Sequence, residues 1–121
     1  MATDTARDIR NRAFLFACRV ARLALSLGVA PGIRSIVDQL LRAGTAVGAN
    51  LEEAKAASTR REFVGYLEIA LREAREALYW LRICSELQLG SNDQVRGLKN
   101  ECDQMVRILT AIVINTKNRK T

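Results

Sequence analysis

The sequence predicts an all-α protein, an antiparallel up-down-up-down bundle of four helices. Apolar residues recur at three- and four-residue steps along four long segments, which is the spacing of one face of a helix. Aromatic residues make up only 5% of the 121 residues and there is a single proline, so the composition favours helices over sheets. Short turns between long helices favour antiparallel neighbours. We expect one domain over residues 1–121, because single cores of this size are common.

Turn and capping residues predict where each helix begins and ends. Gly28 ends the first apolar segment and Gly90 ends the third. Thr59 and Ser91 are each followed three residues later by a glutamate or a glutamine, the spacing of a capping box that satisfies free backbone N–H groups at a helix start. The predicted helices cover about residues 5–27, 32–57, 60–89 and 92–117.

The second helix carries a distinctive set of small and polar residues. Gly44 and Gly48 lie one turn apart on its apolar stripe. An interior glycine costs roughly 1 kcal/mol relative to alanine, so we expect a neighbouring backbone to approach closely there. Asn50 is interpreted as a buried hydrogen-bonding residue that fixes helix register. Together with Arg42 and Glu53, these residues are the predicted set for close packing and polar contact between helices.

Cysteine use and hydropathy indicate a cytoplasmic protein. Cys18, Cys84 and Cys102 are odd in number, widely spaced and set among apolar neighbours. We therefore interpret them as reduced core thiols rather than as a disulfide framework or a metal cluster. The N-terminus lacks the layout of a signal peptide. The longest uncharged run, residues 23–33, is far shorter than the roughly 20 residues that span a membrane, so no membrane contact is expected.

Two of the predicted helices carry more apolar surface than one bundle needs. On the first helix, Phe14, Cys18 and Leu25 form a second strip, roughly 140° from the centre of the main stripe. Exposed apolar rows mark protein contacts, so we expect the chain to self-associate with this strip at the interface. The alternative is a monomer in which broad stripes and single exposed apolar residues are ordinary. The third helix adds a further set to the predicted interface: Ile69, Glu73, Glu76 and Trp80, with Leu87 beside them.

Two stretches of the sequence resemble a known family. The segment from Arg42 to Ala54 resembles the arginine-to-Asn-Ile-Ala-Glu segment of the four-helix bundle proteins encoded in intervening sequences of 23S ribosomal RNA genes. Residues 61–63, 67–76 and 79–82 are similar to that family's third helix in order and spacing. Ala54 stands where the family often has a glycine.

The resemblance implies an assembly and a set of partners. Members of the family are similar to the accessory proteins of diversity-generating retroelements, which form barrel-shaped pentamers, bind nucleic acid and contact a reverse transcriptase. By implication, this chain is a ring-like homo-oligomer, with five subunits favoured. The intervening-sequence proteins themselves have no established activity.

The residue types available for catalysis are few. The chain has no histidine, which removes the commonest general base and metal ligand. Glu53, Glu73 and Glu76 are the best acidic candidates for binding magnesium, as in an all-helical nucleotide hydrolase. The interpretation we favour is that these acids pair with arginines, and we expect no enzyme, no metal and no cofactor. The arginines considered are Arg42, Arg72 and Arg75.

The net charge of +6 makes nucleic acid a plausible partner. Basic residues fall on the expected solvent face of the first helix and in the C-terminal tail, and no aromatic residue interleaves with them. Phosphate contacts without base stacking are therefore predicted, with a simple solvated face as the alternative. The candidate nucleic-acid-binding residues are Arg12, Arg19, Arg22, Lys117, Arg119 and Lys120.

These observations lead to three hypotheses of different kinds. The first is an oligomeric, non-enzymatic accessory protein that binds RNA or DNA through arginine–phosphate contacts. The second is a protein-interaction scaffold for a partner enzyme, such as a reverse transcriptase, with no nucleic-acid contact of its own. A metal-dependent nucleotide hydrolase is a third.

Overall fold

The computed structural model describes residues 2–28 and 30–119, with their side chains from Asp8 onward. Throughout this part of the chain the structure is all-α, with four helices and no strand. This confirms the predicted all-α class with four helices. The helices are α1 (Ala2–Ser26), α2 (Pro31–Lys55), α3 (Arg60–Glu86) and α4 (Asn92–Lys117).

Side-chain caps begin α3 and α4 at the residues that the sequence predicted. The Thr59 hydroxyl accepts a hydrogen bond from the backbone N–H of Glu62 at 3.1 Å, and the Ser91 hydroxyl accepts one from Gln94 at the same distance. The Glu62 carboxylate in turn accepts a hydrogen bond from the backbone N–H of Ser58. Each cap satisfies backbone donors that a helix start would otherwise leave unpaired.

The end of α3 comes earlier than Gly90 predicts. Gln88 has a φ of 56° and Gly90 a φ of 75°, and the chain leaves the helix after Glu86. Leu89 donates its backbone N–H to the carbonyl of Cys84 at 2.9 Å, which closes the last turn. A left-handed conformation is uncommon for a residue other than glycine, so the sequence alone does not indicate Gln88 as the stop.

An entirely apolar core joins the four helices. Among the described residues, no polar or charged side chain is buried. Every helix contributes buried apolar side chains to the core. Contacts connect α1 with α2 and α4, and α3 with α2 and α4. The largest fully buried side chains of the core are Phe16, Leu23, Leu40, Leu81, Leu98, Met105 and Leu109.

The two glycines of α2 lie against α1, as predicted from their position on the apolar stripe. A Cβ atom at Gly48 would lie 3.6 Å from the backbone carbonyl carbon and oxygen of Ala13, which is ordinary van der Waals contact. A Cβ atom at Gly44 would lie only 3.0 Å from Cγ1 of Val20. The backbones of α1 and α2 therefore lie close at Gly48, where an alanine would also fit, whereas Gly44 leaves room for the side chain of Val20.

The three cysteines do not share one environment. Cys84 and Cys102 are buried, as expected, but Cys18 is half-buried on the outward side of α1, so its interpretation as a core thiol is wrong. The Cys102 thiol donates to the carbonyl of Ala74 at 3.1 Å, and burial raises its pKa to about 12.

None of the described helices combines the length and apolarity needed to cross a membrane.

Replacing the two glycines separately tests the approach of α2 to α1. Gly48→Ala removes the helix-propensity penalty without a clash, so we expect the free energy of unfolding to rise by up to about 1 kcal/mol. Gly44→Ala must displace Val20, whose β-branched side chain is confined to few rotamers in a helix. It should be less stable than Gly48→Ala by about 1–3 kcal/mol in urea denaturation. Equal stabilities would contradict this packing.

The Cys102 thiol should make stability depend on alkaline pH. Its pKa is raised in the folded protein, so above pH 9 the unfolded chain loses this proton while the folded protein retains it. The free energy of unfolding should therefore fall with rising pH, by at most about 1.4 kcal/mol per pH unit. Urea denaturation at several values between pH 8 and about 11 measures the slope. The slope should flatten in Cys102→Ala, and an unchanged slope would exclude this thiol as its cause.

Candidate nucleic-acid interface

Arg12 is tied to α4 rather than free on the solvent face of α1. Its Nε and Nη2 atoms donate to the two carboxylate oxygens of Glu101 at 2.9 and 2.7 Å, and Nη2 also donates to Gln104 at 2.9 Å. The bidentate bond to Glu101 raises the pKa of Arg12. The expected solvent placement is wrong because the side chain reaches a carboxylate on the neighbouring helix.

The other predicted cations of α1 differ in exposure. Arg19 is half-buried and lies over Gly97 of α4, where an added Cβ atom would be 2.8 Å from Nη2. Arg22 is exposed. Of the three arginines predicted on this helix, only Arg22 therefore lies open to solvent.

The predicted basic tail is partly engaged with α3. Lys117 forms an ion pair with Glu68, with Nζ 2.6 Å from Oε2. Arg119 is exposed, and its backbone carbonyl accepts a hydrogen bond from Arg60. Arg60 also donates to the carbonyl of Thr116 at 3.0 Å, so it satisfies acceptors at the end of α4. Lys120 lies outside the described residues.

Arg42 pairs with the two glutamates that were candidates for magnesium. Its Nη1 atom donates to both carboxylate oxygens of Glu73 at 3.1 and 3.2 Å, and Nη2 donates to Glu76. The Trp80 indole also donates to Glu76 at 3.1 Å. The bonds from Trp80 and Arg42 lower the pKa of Glu76 and keep it ionised. These contacts are the acid–arginine pairing that we favoured from the sequence.

Two other predicted polar residues of α2 do not bridge helices. Asn50 is half-buried rather than buried, and its side-chain amide donates to the carbonyl of Ala46 in the same helix at 2.8 Å. Glu53 is exposed. Their assignment to polar contact between helices is therefore wrong, since both lie on the outward part of α2.

The second apolar strip of α1 is open to solvent. Phe14 is 63% exposed, Leu25 is 87% exposed and Cys18 is half-buried. We call these three residues the α1 strip. On α3, Ile69 and Trp80 are half-buried, and Trp80 packs against the core. Three further exposed apolar residues lie outside the predicted interface: Leu15, Tyr79 and Ile114.

The outward face of α3 concentrates arginines. Arg61, Arg72, Arg75 and Arg82 are all exposed. At about 100° per residue, the last three lie roughly 120° to 160° from the buried Ala70. None of the four forms an ion pair with another described residue. We call these residues the arginine face.

The arginine face was not predicted from the sequence, because Arg72 and Arg75 were expected to pair with the glutamates. Instead, Arg42 forms ion pairs with Glu73 and Glu76, and Lys117 forms one with Glu68. The spacing of Arg72, Arg75 and Arg82 opposite the apolar stripe of the same helix was the available signal.

Comparison with known proteins places this fold in a family. The model of the family described as 23S rRNA-intervening sequence protein matches residues 6–111. A crystal structure from Bacteroides thetaiotaomicron, of a protein with unknown function from the S23 ribosomal protein family, is similar with a TM-score of 0.83 and 29% identity. That similarity covers 91% of this chain and 98% of the other. No curated protein matches the chain.

Neither match points to a family of enzymes. The family model spans most of the chain, including all of α2 and α3. The chain therefore belongs to the family of 23S rRNA intervening-sequence proteins, whose function is unknown.

Proposed function

We propose that this protein is a cytoplasmic, non-enzymatic accessory protein that assembles as a homo-oligomer and binds nucleic acid through arginine–phosphate contacts. The arginine face of α3 carries the proposal, because four exposed guanidinium groups on one side of a helix form no ion pair with another described residue. Guanidinium groups bind phosphate with matching geometry. The proposed contact surface therefore moves from α1, where the sequence suggested it, to α3.

The proposed subunit is an antiparallel up-down-up-down bundle. Contacts between α1 and α2 run in opposite sequence order, since Ala13 meets Gly48 and Val20 meets Gly44. Contacts between α3 and α4 also run in opposite sequence order. There Arg60 contacts the carbonyl of Thr116, whereas the Ala74 carbonyl contacts Cys102. Both pairs of helices support the arrangement.

The proposed assembly is a ring, with five subunits favoured by the resemblance to the accessory proteins of retroelements. The α1 strip supports association, because a phenylalanine and a leucine are more than half exposed on the side of α1 away from the core. Repetition of the arginine face around a ring would strengthen binding to a polyanion without any new contact within one subunit.

The pairing of the acids supports a non-catalytic role. Glu73 and Glu76 were the carboxylates best placed for metal chemistry, and Arg42 neutralises both. A carboxylate held by a guanidinium group is a weaker metal ligand, because binding a cation would first require breaking that pair.

A protein-interaction scaffold remains the second candidate function. The α1 strip favours it, because the same exposed apolar side chains would suit a partner enzyme such as a reverse transcriptase. In that case the arginines would serve solubility alone. Retention of a partner protein by a variant whose arginine face is reversed in charge would support this scaffold.

Charge on the α1 strip should break the proposed oligomer. Phe14→Glu with Leu25→Glu places two carboxylates where apolar contact is expected, so light scattering should show a shift from the oligomer to a single chain. Ala111→Glu with Asn115→Glu adds the same number of carboxylates at exposed positions of α4 and should leave the mass unchanged. A wild-type protein that is already a single chain would refute the assembly.

Charge reversal on the arginine face should abolish nucleic-acid retention. We expect Arg72→Glu with Arg75→Glu to lose binding to RNA and DNA. Arg22→Glu with Arg34→Glu changes the net charge equally on α1 and α2 and should bind nearly as wild type. Fluorescence anisotropy with labelled oligonucleotides measures both. Wild-type binding should weaken steeply from about 50 mM to about 300 mM salt, and insensitivity to salt would contradict phosphate contact.

A further inference from the structure

An exposed aromatic ring lies within the arginine face. Tyr79 is 54% exposed and lies about 180° from Ala70, on the side of α3 farthest from the core. Arg75 precedes it by one turn and Arg82 follows it by one turn, and both are exposed. The ring therefore stands between two cations on the same helix surface.

The packing of Trp80 holds this ring in place. The rings of Tyr79 and Trp80 meet edge to face, with centroids 5.5 Å apart and planes at 72°. Trp80 packs against the core and donates its indole N–H to Glu76, which Arg42 also binds. Tyr79 therefore presents its exposed surface from a supported position, which reduces the ordering required when a ligand binds.

The surroundings of Tyr79 are mixed in charge but mainly basic. Beside the ring, α3 and α4 line a shallow depression formed with Arg82, Ile83, Ser85, Glu86 and Lys99. Glu86 is the one carboxylate of that lining, and it forms no ion pair with the described Arg82 or Lys99. Two cations and an aromatic surface next to it favour an anionic ligand that also offers a flat apolar group.

We propose that the arginine face binds single-stranded nucleic acid, with a base stacked on Tyr79 and the adjoining phosphates bound by Arg75 and Arg82. Nucleic acid combines phosphates with flat aromatic bases, and a single strand leaves base faces open, whereas a duplex already stacks them on each other. This inference rests on the proposed function and specifies its ligand. It replaces the expectation, based on α1, that no base stacks on the protein.

Substitution of Tyr79 in the full-length chain tests the stacking contact. Tyr79→Ala should weaken binding of a labelled single-stranded oligonucleotide by about 5- to 100-fold. Tyr79→Phe keeps the ring and should bind as wild type, whereas Tyr79→Leu keeps apolar bulk without a π face and should bind weakly. Uridine and thymidine oligomers of equal length distinguish RNA from DNA, and loss on either strand type supports the proposal.

A duplex of equal length is the matched ligand control. Its affinity depends on the arginines alone, so it should be the same for Tyr79→Ala and wild type. Unchanged single-strand affinity in Tyr79→Ala would overturn the stacking contact. A change in the mass of Tyr79→Ala by light scattering would also overturn it, because it would place the ring at a subunit interface. If Arg72→Glu with Arg75→Glu retains binding, the proposed function itself fails, so the two failures are distinguishable.

Discussion

The apolar stripe of α3 sets the direction of every charge on that helix. Burial of Leu67, Leu71 and Leu81 stabilises the fold by about 1.5–3 kcal/mol per side chain. The ion pairs of Arg42 are exposed to solvent, which screens them, so they contribute less. The stripe therefore determines the rotation of α3 about its axis. Glu73 and Glu76 turn toward α2 as a consequence, and the arginines turn outward.

Periodicity and local capping made the helices predictable. The starts of α3 and α4 depend on a hydroxyl and a backbone N–H only three residues apart, so the sequence contains both partners. The end of α3 at Glu86 depends on a left-handed Gln88, which no residue preference indicates. The helix starts, whose hydrogen-bonding partners lie close in the sequence, were therefore predicted correctly. The end of α3, which depends on an unusual backbone conformation, was not.

The charged site was less predictable because its partners lie on other helices. Arg12 lies on the flank of α1, where a side chain reaches either solvent or the neighbouring helix, and Glu101 on α4 decides the outcome. In the same way, Arg72 and Arg75 form no ion pair with the nearby Glu73 and Glu76, because Arg42 on α2 binds both carboxylates. A helical wheel gives the direction of each side chain but not the identity of the residue that it meets.

The two proposed surfaces are compatible because they belong to helices that are not neighbours in the bundle. Within the described residues, α1 contacts α2 and α4 but not α3, so the α1 strip and the arginine face lie on opposite sides of the bundle. Association through α1 would leave α3 open. Tyr79 and Trp80 show how one helix serves both the core and the surface, since a step of about 100° turns one ring toward the bundle and the other toward solvent. A series of contacts consequently links Arg42 to the exposed ring, because Arg42 and Trp80 both donate to Glu76, and the rings of Trp80 and Tyr79 meet edge to face.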